Sequence, residues 1–487
     1  MIDWKNDRNL TMLTDYYEMT MSHGYFRNGF KDKIVVFDMF FRKIPNNGGF
    51  AIFAGLEQLI EYMKNLHFTQ EDIEYLRGRN MFCEEFLEYL ANFKFECDVW
   101  AMKEGTPVFP MEPIVVVKGP IIQAQLVETM VLLTVNYQSL VATKARRIVN
   151  EAQGRMVMEF GSRRAQSYDA AILGARASYI GGCDATACVI ADRDYKIPAV
   201  GTMAHSWVQL FDTEYEAFKT YAEIYPFDCT LLVDTYNVLK SGIPNAIKVF
   251  DEIVVPSGHR PKGVRIDSGD IAYLSKEARK LLDEAGYEDV KIIASNSLDE
   301  VAIRGLLMQK AKIDSFGVGE NLITSKSDPV FGGVYKLVAV ENADGSYTPK
   351  IKLSESAEKI TNPHFKKVFR LYSNENGMAI ADYVTIFDEE IDCTQPLTIF
   401  DPNETWKKKT ISDFHAVQLL HPIFEKGECV YEVPALNDVR TYCAEQMNTI
   451  VEEIQRLEWP RKYYVDLSDK LYDIKKKLIY TQGQLHN

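Results

Sequence analysis

Apolar positions along this chain follow changing periods, and the changes set out its parts. Near the start, KIVVFDMFFRK reads as a strand, PNNGG turns the chain, and GLEQLIEYMKNL carries apolar residues at helical spacing. A further helix is expected around CEEFLEYLANF. After it, DVWAMKEGTPVFPMEPIVVVKGP reads as paired strands broken by Gly and Pro. Residues 1–124 are therefore expected to form an α+β domain.

From Gln125 the pattern changes. A long apolar helix, LVETMVLLTVNYQSLVATKARRIVNEA, leads into an alternation of short β-rich runs and amphipathic segments. The runs are RMVMEFGS, AVGTMAHS, CTLLVDTY, GVRIDSGD, VKIIASNS and SFGVGENL, with helical stripes such as EAFKTYAEIY and IAYLSKEARKLLDEA between them. Such alternation implies a parallel sheet, open or closed into a barrel. Run after run ends in a polar or glycine-bearing cluster, and carboxyl-terminal strand ends converge on one rim in a barrel but less so in an open sheet. An irregular TIM-like α/β barrel over 125–340 is the expectation.

Beyond Val330, hairpin signals take over in VAVENADGSYTPKIKLS and FRLYSNENGMAIADYVTIF, with Asp-Gly and Asn-Gly turns. A helix over LNDVRTYCAEQMNTIVEEIQRL and a short basic tail follow, so 341–487 is expected to be a β-hairpin and helical extension packed on the barrel and the N-terminal domain.

Composition narrows the class. With 46% hydrophobic and 25% charged residues the chain can bury a sizeable interior. Lys plus Arg number 55 against 69 acidic residues, and a net charge of −14 argues against a broad nucleic-acid surface. No apolar stretch approaches the roughly 20 residues of a membrane span, and MIDWKNDRNL lacks the apolar core of a signal peptide. A cytoplasmic protein is expected, with eight scattered cysteines kept as reduced structural thiols and no metal cage among them.

The strand-end clusters carry the candidate chemistry. His205 and Ser206 in TMAHSW place an imidazole where it could take or pair with a phosphoryl group, although an imidazole at an element end often serves only as a hydrogen-bonding group. In GVRIDSGD, Arg265 and Asp267 alternate, so their side chains leave one face of a strand. That pair suits a sugar phosphate, the guanidinium taking phosphate or carboxylate and the acid taking ribose hydroxyls or magnesium. The competing reading is an internal ion pair followed by an Asx turn. Gly317 and Gly319 in GVGEN would let backbone N–H groups approach phosphate, or simply form a turn. Ser295 and Asn296 are phosphate donors or a helix N-cap. FGSRRA sets the ring of Phe160 beside Arg163 and Arg164, a way to stack a flat anionic heterocycle or a solvated surface pair.

These runs, in this order, carry a resemblance: TDYYEMTM, FGSRRA, GGCDAT, TMAHSW, LLVDTYN, GVRIDSGD and GVGEN, followed by KLSESAEKITNP and LLHPIFEKGECVYEVP. Together they resemble the nicotinate phosphoribosyltransferase family over nearly the whole chain. The resemblance implies the irregular barrel of the type II phosphoribosyltransferases and a homodimer with active sites at the subunit interface. It implies the reaction of nicotinate, phosphoribosyl pyrophosphate, ATP and water to nicotinate mononucleotide, pyrophosphate, ADP and phosphate, with magnesium, in NAD salvage. It also implies residue roles. His205 would be the phosphorylated catalytic histidine. Tyr17 would stack on the pyridine from the neighbouring subunit opposite Phe160, with Arg163, Thr202 and Arg265 serving nicotinate. Ser206, Asp234, Asp267, Ser295, Asn296, Gly317, Gly319 and Glu320 would line the phosphoribosyl pyrophosphate site, and Asp267 would hold magnesium. Glu320 departs from the small hydroxylated residue the family pattern leads one to expect; a carboxylate repels phosphate, so contact there should come from backbone N–H groups or Glu320 must point away.

Rival readings are a phosphoribosyltransferase for nicotinamide or quinolinate, an aldolase-like barrel enzyme, and a catalytically silent scaffold. An aldolase would call for a Schiff-base lysine or metal set at a strand end, and none stands out.

Overall fold

The computed structural model describes residues 9–354 and 359–486, so part of the KLSESAEKITNP segment and most of MIDWKNDRNL lie outside it. Contacts divide the chain into two compact units, one of residues 1–140 with 330–487 and one of residues 141–329.

The first unit is built on a seven-stranded antiparallel sheet. Its order is Tyr347–Pro349, Gly333–Glu341, Ile34–Phe41, Val115–Pro120, Asp98–Ala101, His421–Glu425 and Glu428–Cys429. Ile34–Phe41 lies near the middle of this sheet, and Val36, Met39 and Phe41 are fully buried. Both hairpins read from the Asp-Gly and Asn-Gly turns are present: Gly333–Glu341 pairs with Tyr347–Pro349, and Lys366–Ser373 with Ala379–Ile386. Two ion pairs are sealed inside, Lys366 with Asp38 at 2.8 Å and Arg370 with Asp382 at 2.7 Å, the latter on directly opposed strand positions. Two helices serve the argument below: α1 (Tyr16–Arg27) and α2 (Glu128–Glu151). Two details differ from the sequence reading. The helix expected over 436–457 stops at Asn448 and resumes only as Glu452–Gln455. The basic tail is a helix, Asp469–His486, because Leu471, fully buried, anchors an apolar stripe that the lysines disguise.

The second unit is an irregular TIM-like α/β barrel whose sheet is an arc of six parallel strands. They are β1 (Met156–Glu159), β2 (Ala185–Thr186), β3 (Thr230–Leu232), β4 (Gly263–Ile266), β5 (Lys291–Ala294) and β6 (Ser315–Val318), in the order β2-β1-β6-β5-β4-β3. Val157, Leu231, Val264, Ile266, Ile292, Ala294, Phe316 and Val318 are essentially inaccessible, as expected of a parallel sheet that is covered on both faces. Four of the intervening helices start on side-chain caps: Ser167, Thr213, Asp270 and Asp299 each accept a backbone N–H from the first turn. AVGTMAHS, expected as a strand, supplies only one bridge, Ala199 to Thr186. Pro198 brings no N–H to a ladder and Gly201 follows closely, so the chain leaves the sheet and runs to His205, the first residue of helix α3 (His205–Leu210). Among the described residues no helix is long and apolar enough to cross a membrane.

Candidate active site

The carboxyl ends of β3, β4 and β5, with the loop before α3, bring six of the singled-out residues, Arg265, Thr202, Asp267, Ser295, Asp234 and His205, into one polar group. Arg265 on β4 is its hub. Nε donates to Ser295 Oγ at 2.9 Å, Nη1 to Thr202 Oγ1 at 3.4 Å and Nη2 to Asp267 Oδ1 at 3.0 Å. A guanidinium has five N–H donors, so two lie outside these bonds, one on each terminal nitrogen. Ser295 also donates to Asp267 Oδ1 in a short hydrogen bond. Arg265 and Asp267 do leave the strand on one face, as their alternation implied, and they form the internal ion pair of the competing reading; half the fork is left for another anion.

His205 joins through two contacts. Its Nδ1 lies 3.1 Å from Thr235 Oγ1, and its Nε2 lies 3.7 Å from Asp267 Oδ2. The ring is 40% exposed, accessible enough to meet a substrate yet held on both sides. Asp234, at the end of β3, accepts the Asp267 N–H at 3.1 Å and the Ser268 hydroxyl at 2.6 Å through Oδ2, while Oδ1 is buried with no hydrogen-bond partner.

Phe160 follows β1, its N–H bonded to Val318 O at 2.8 Å. Its ring faces the Arg265 guanidinium at 5.7 Å. Gly317 is what admits it, because a Cβ there would sit 2.5 Å from Phe160 Cδ2. Beneath lies Glu159, fully buried, whose carboxylate accepts from Thr186 Oγ1 at 2.7 Å and from the Gly161 N–H; burial pushes its pKa up.

The other singled-out residues stand apart from this polar group. Arg163 is exposed in the turn Ser162–Arg164, and Ser206 is exposed in the first turn of α3. Asn296 and Ser297 both have positive φ, 91° and 49°, and the N-cap of the following helix is Asp299 rather than Ser295 or Asn296. Gly319 precedes the short helix Glu320–Ile323, and Glu320 turns to Lys326 at 2.7 Å, with Arg164 at 3.9 Å. Those cations, Lys326 foremost, hold its carboxyl below the usual range. Tyr17 lies on α1 in the first unit, 46% exposed. That unit also has a cavity of about 770 Å³, bordered by Arg42, Asn46, Trp459 and Lys475 and by none of the singled-out residues.

Residues 12–136 match the model of the nicotinate phosphoribosyltransferase (NAPRTase) N-terminal domain, and 365–475 that of its C-terminal domain. The nicotinate phosphoribosyltransferase of Bacillus subtilis is 45% identical over 476 residues, spanning 97% of this chain and 96% of the relative. The chain belongs to the nicotinate phosphoribosyltransferase family. The human nicotinate phosphoribosyltransferase is 30% identical over 533 residues, 97% of each chain. A crystal structure of human nicotinic acid phosphoribosyltransferase superposes with a TM-score of 0.83 at 28% identity, covering 96% of this chain and 99% of the other.

Within this member of the nicotinate phosphoribosyltransferase family, Thr235 is the residue the sequence reading passed over. It sits in LLVDTYN beside Asp234, and only the approach of the α3 start to the end of β3 reveals it as the partner of His205 Nδ1.

Proposed function

We propose that the chain joins nicotinate to the ribose of phosphoribosyl pyrophosphate, with ATP hydrolysis coupled through His205. The observation that carries this reading is the single group of Arg265, Asp267, Ser295, Thr202 and His205 at the strand ends of a chain in this family. Displacement of pyrophosphate at the anomeric carbon builds positive charge on the sugar ring. The pyridine nitrogen already bears a lone pair, so no general base is required; positioning and electrostatics carry the barrier reduction.

Arg265, fixed by three protein bonds, offers its two remaining donors to a substrate anion without reorganisation. Phe160 provides one face for the pyridine, and Tyr17 of the partner subunit the other, in a homodimer with shared sites. Arg163 and Thr202 lie on the nicotinate side. Asp234, Asp267, Ser206, Ser295, Asn296, Gly317 and Gly319 serve the phosphoribosyl moiety, with Glu320 drawn off by Lys326. The tautomer in which Nδ1–H donates to Thr235 leaves the Nε2 lone pair on the Asp267 side to accept a phosphoryl group.

Magnesium fits the acids present. Asp234 Oδ1 is buried without a partner beside Asp267, and magnesium is commonly held by one or two carboxylates plus substrate phosphates. Asp234 and Asp267 would hold it, and it would supply charge neutralisation on the leaving pyrophosphate. Eight free cysteines agree with action in the reducing cytoplasm.

The test is incubation with phosphoribosyl pyrophosphate, magnesium and one of nicotinate, nicotinamide or quinolinate, with and without ATP, followed by product and ADP measurement. Nicotinate mononucleotide with stoichiometric ADP is expected. His205→Ala should lose ADP release linked to turnover, and normal coupling in that variant would reject the role.

A further inference from the structure

Tyr17 is unusually well tethered for a side chain that is nearly half exposed, and the tethers come from residues with no assigned part in the reaction. The helix that carries it, α1, has no side-chain cap from Asp15. The start of the helix is instead clasped to α2. The Asp15 N–H donates to Thr129 Oγ1 at 3.0 Å, and the Thr129 hydroxyl donates to Glu18 Oε1 at 2.6 Å. The Thr14 hydroxyl donates to the other Glu18 oxygen in a short hydrogen bond. Glu18 is fully buried, so this carboxyl serves the interior and not a ligand.

At the far end of the same side chain, the Tyr17 phenol faces the Glu128 carboxylate. Glu128 is itself fixed, accepting from Gln125 Nε2 at 2.7 Å with the Lys336 ammonium 3.9 Å away. The backbone beside Tyr17 is thus held by Thr14, Glu18 and Thr129 and its hydroxyl lies against Glu128, while the ring between stays open.

We propose that Glu128, with the Thr14–Glu18–Thr129 clasp, is a positioning device that holds the Tyr17 ring ready to stack on the pyridine substrate. This rests on the reading that places Tyr17 against nicotinate. A tyrosine free at both torsions must be immobilised when substrate arrives; one already pinned is not charged that entropy again. Removing a tether therefore weakens substrate capture more than turnover.

The experiment compares Tyr17→Phe, Glu128→Ala, the double variant, Glu128→Gln, Thr129→Val and Tyr17→Ala in the full-length enzyme. Each is assayed for nicotinate KM and kcat at saturating phosphoribosyl pyrophosphate, with thermal unfolding as a check on folding. Tyr17→Phe removes one oxygen from an exposed ring and leaves the fold intact. It should raise nicotinate KM roughly three- to ten-fold with kcat within about two-fold. Glu128→Ala should match it, the double variant should be no worse than the poorer single, and Glu128→Gln, which can still accept from the phenol, should recover most of the loss. Thr129→Val should shift KM in the same sense. If Tyr17→Ala raises KM while Tyr17→Phe and Glu128→Ala leave it unchanged, or if those two effects add in full, the positioning device is overturned and the stacking reading survives. An unchanged KM in Tyr17→Ala overturns the stacking reading itself.

Discussion

Gly317→Ala is the most economical probe of the barrel site, because a single methyl there meets one ring and little else. The added Cβ would lie 2.5 Å from Cδ2 and 2.6 Å from Cε2 of Phe160, and at 3.4 Å it grazes Ser295 Cβ. Gly317 sits inside β6, flanked on both sides by parallel partners and matched in register with Met158. The strand is therefore the stiffer party, and the ring must yield. Overpacking of this kind costs about 1–3 kcal/mol. A displaced Phe160 also leaves the Arg265 guanidinium, now 5.7 Å away, and can no longer present its face to a flat heterocycle. Stacking on an aromatic side chain is worth about 1–3 kcal/mol per base, which corresponds to a roughly five- to 150-fold rise in nicotinate KM. The assay is steady-state kinetics at saturating phosphoribosyl pyrophosphate beside a thermal unfolding curve. A folded Gly317→Ala enzyme with the parental nicotinate KM would show that the Phe160 ring is not a wall of the substrate site.

Three further predictions concern other residues. Asp382→Asn strips the charge partner from Arg370 while both are fully buried, and should destabilise the protein by about 3–5 kcal/mol in denaturant unfolding; a loss below about 1 kcal/mol would contradict the pairing. Glu320→Ser releases Lys326 from its carboxylate beside the Gly319 loop, so KM for phosphoribosyl pyrophosphate should fall up to about five-fold at low salt, and a rise would mean that Glu320 itself aids binding. Burial, ahead of its opposing hydroxyl contacts, pushes the Glu18 carboxyl up from 4.5 to about 7. The folded state then holds that proton more tightly than the unfolded one, so the associated stability, on the order of 3 kcal/mol, is present below pH 4.5 and lost as pH rises through 7. Glu18→Gln should flatten that decline in melts between pH 5 and 8, and an unchanged slope would refute the assignment.

The barrel strands were readable because a strand buried on both faces must be a short apolar run, and each run here ends where polar residues begin, as Ile266 gives way to Asp267. The alternation of Arg265 and Asp267 likewise told their common face, since side-chain period in a strand is fixed by geometry alone. What stayed hidden depended on pairing between distant segments. Ala199 resembles a strand residue, yet Pro198 and Gly201 limit it to one bridge. Gly333–Glu341 completes the sheet of the first unit beside Ile34–Phe41, a pairing that leaves no local mark in either sequence. Thr235 gains its meaning only from the position of His205, and the helix Asp469–His486 was masked by the lysines on its outer face.

The barrel group also suggests why phosphorylation of one imidazole could reach the rest of the site. Asp267 accepts from Arg265 and Ser295 on one oxygen and faces His205 Nε2 with the other, while its own N–H is held by Asp234. A phosphoryl group on Nε2 would bring nearly two negative charges toward a carboxylate 3.7 Å from that nitrogen. Like charges that close repel, so on the proposed reading either Asp267 swings away or a cation is drawn between them. The first response would free the third guanidinium donor of Arg265 for substrate, and the second would build the magnesium site from Asp234 and Asp267. Either way, the link between ATP and phosphoribosyl transfer would run through one carboxylate, so Asp267→Asn should uncouple ADP release from nucleotide formation more severely than it slows either alone.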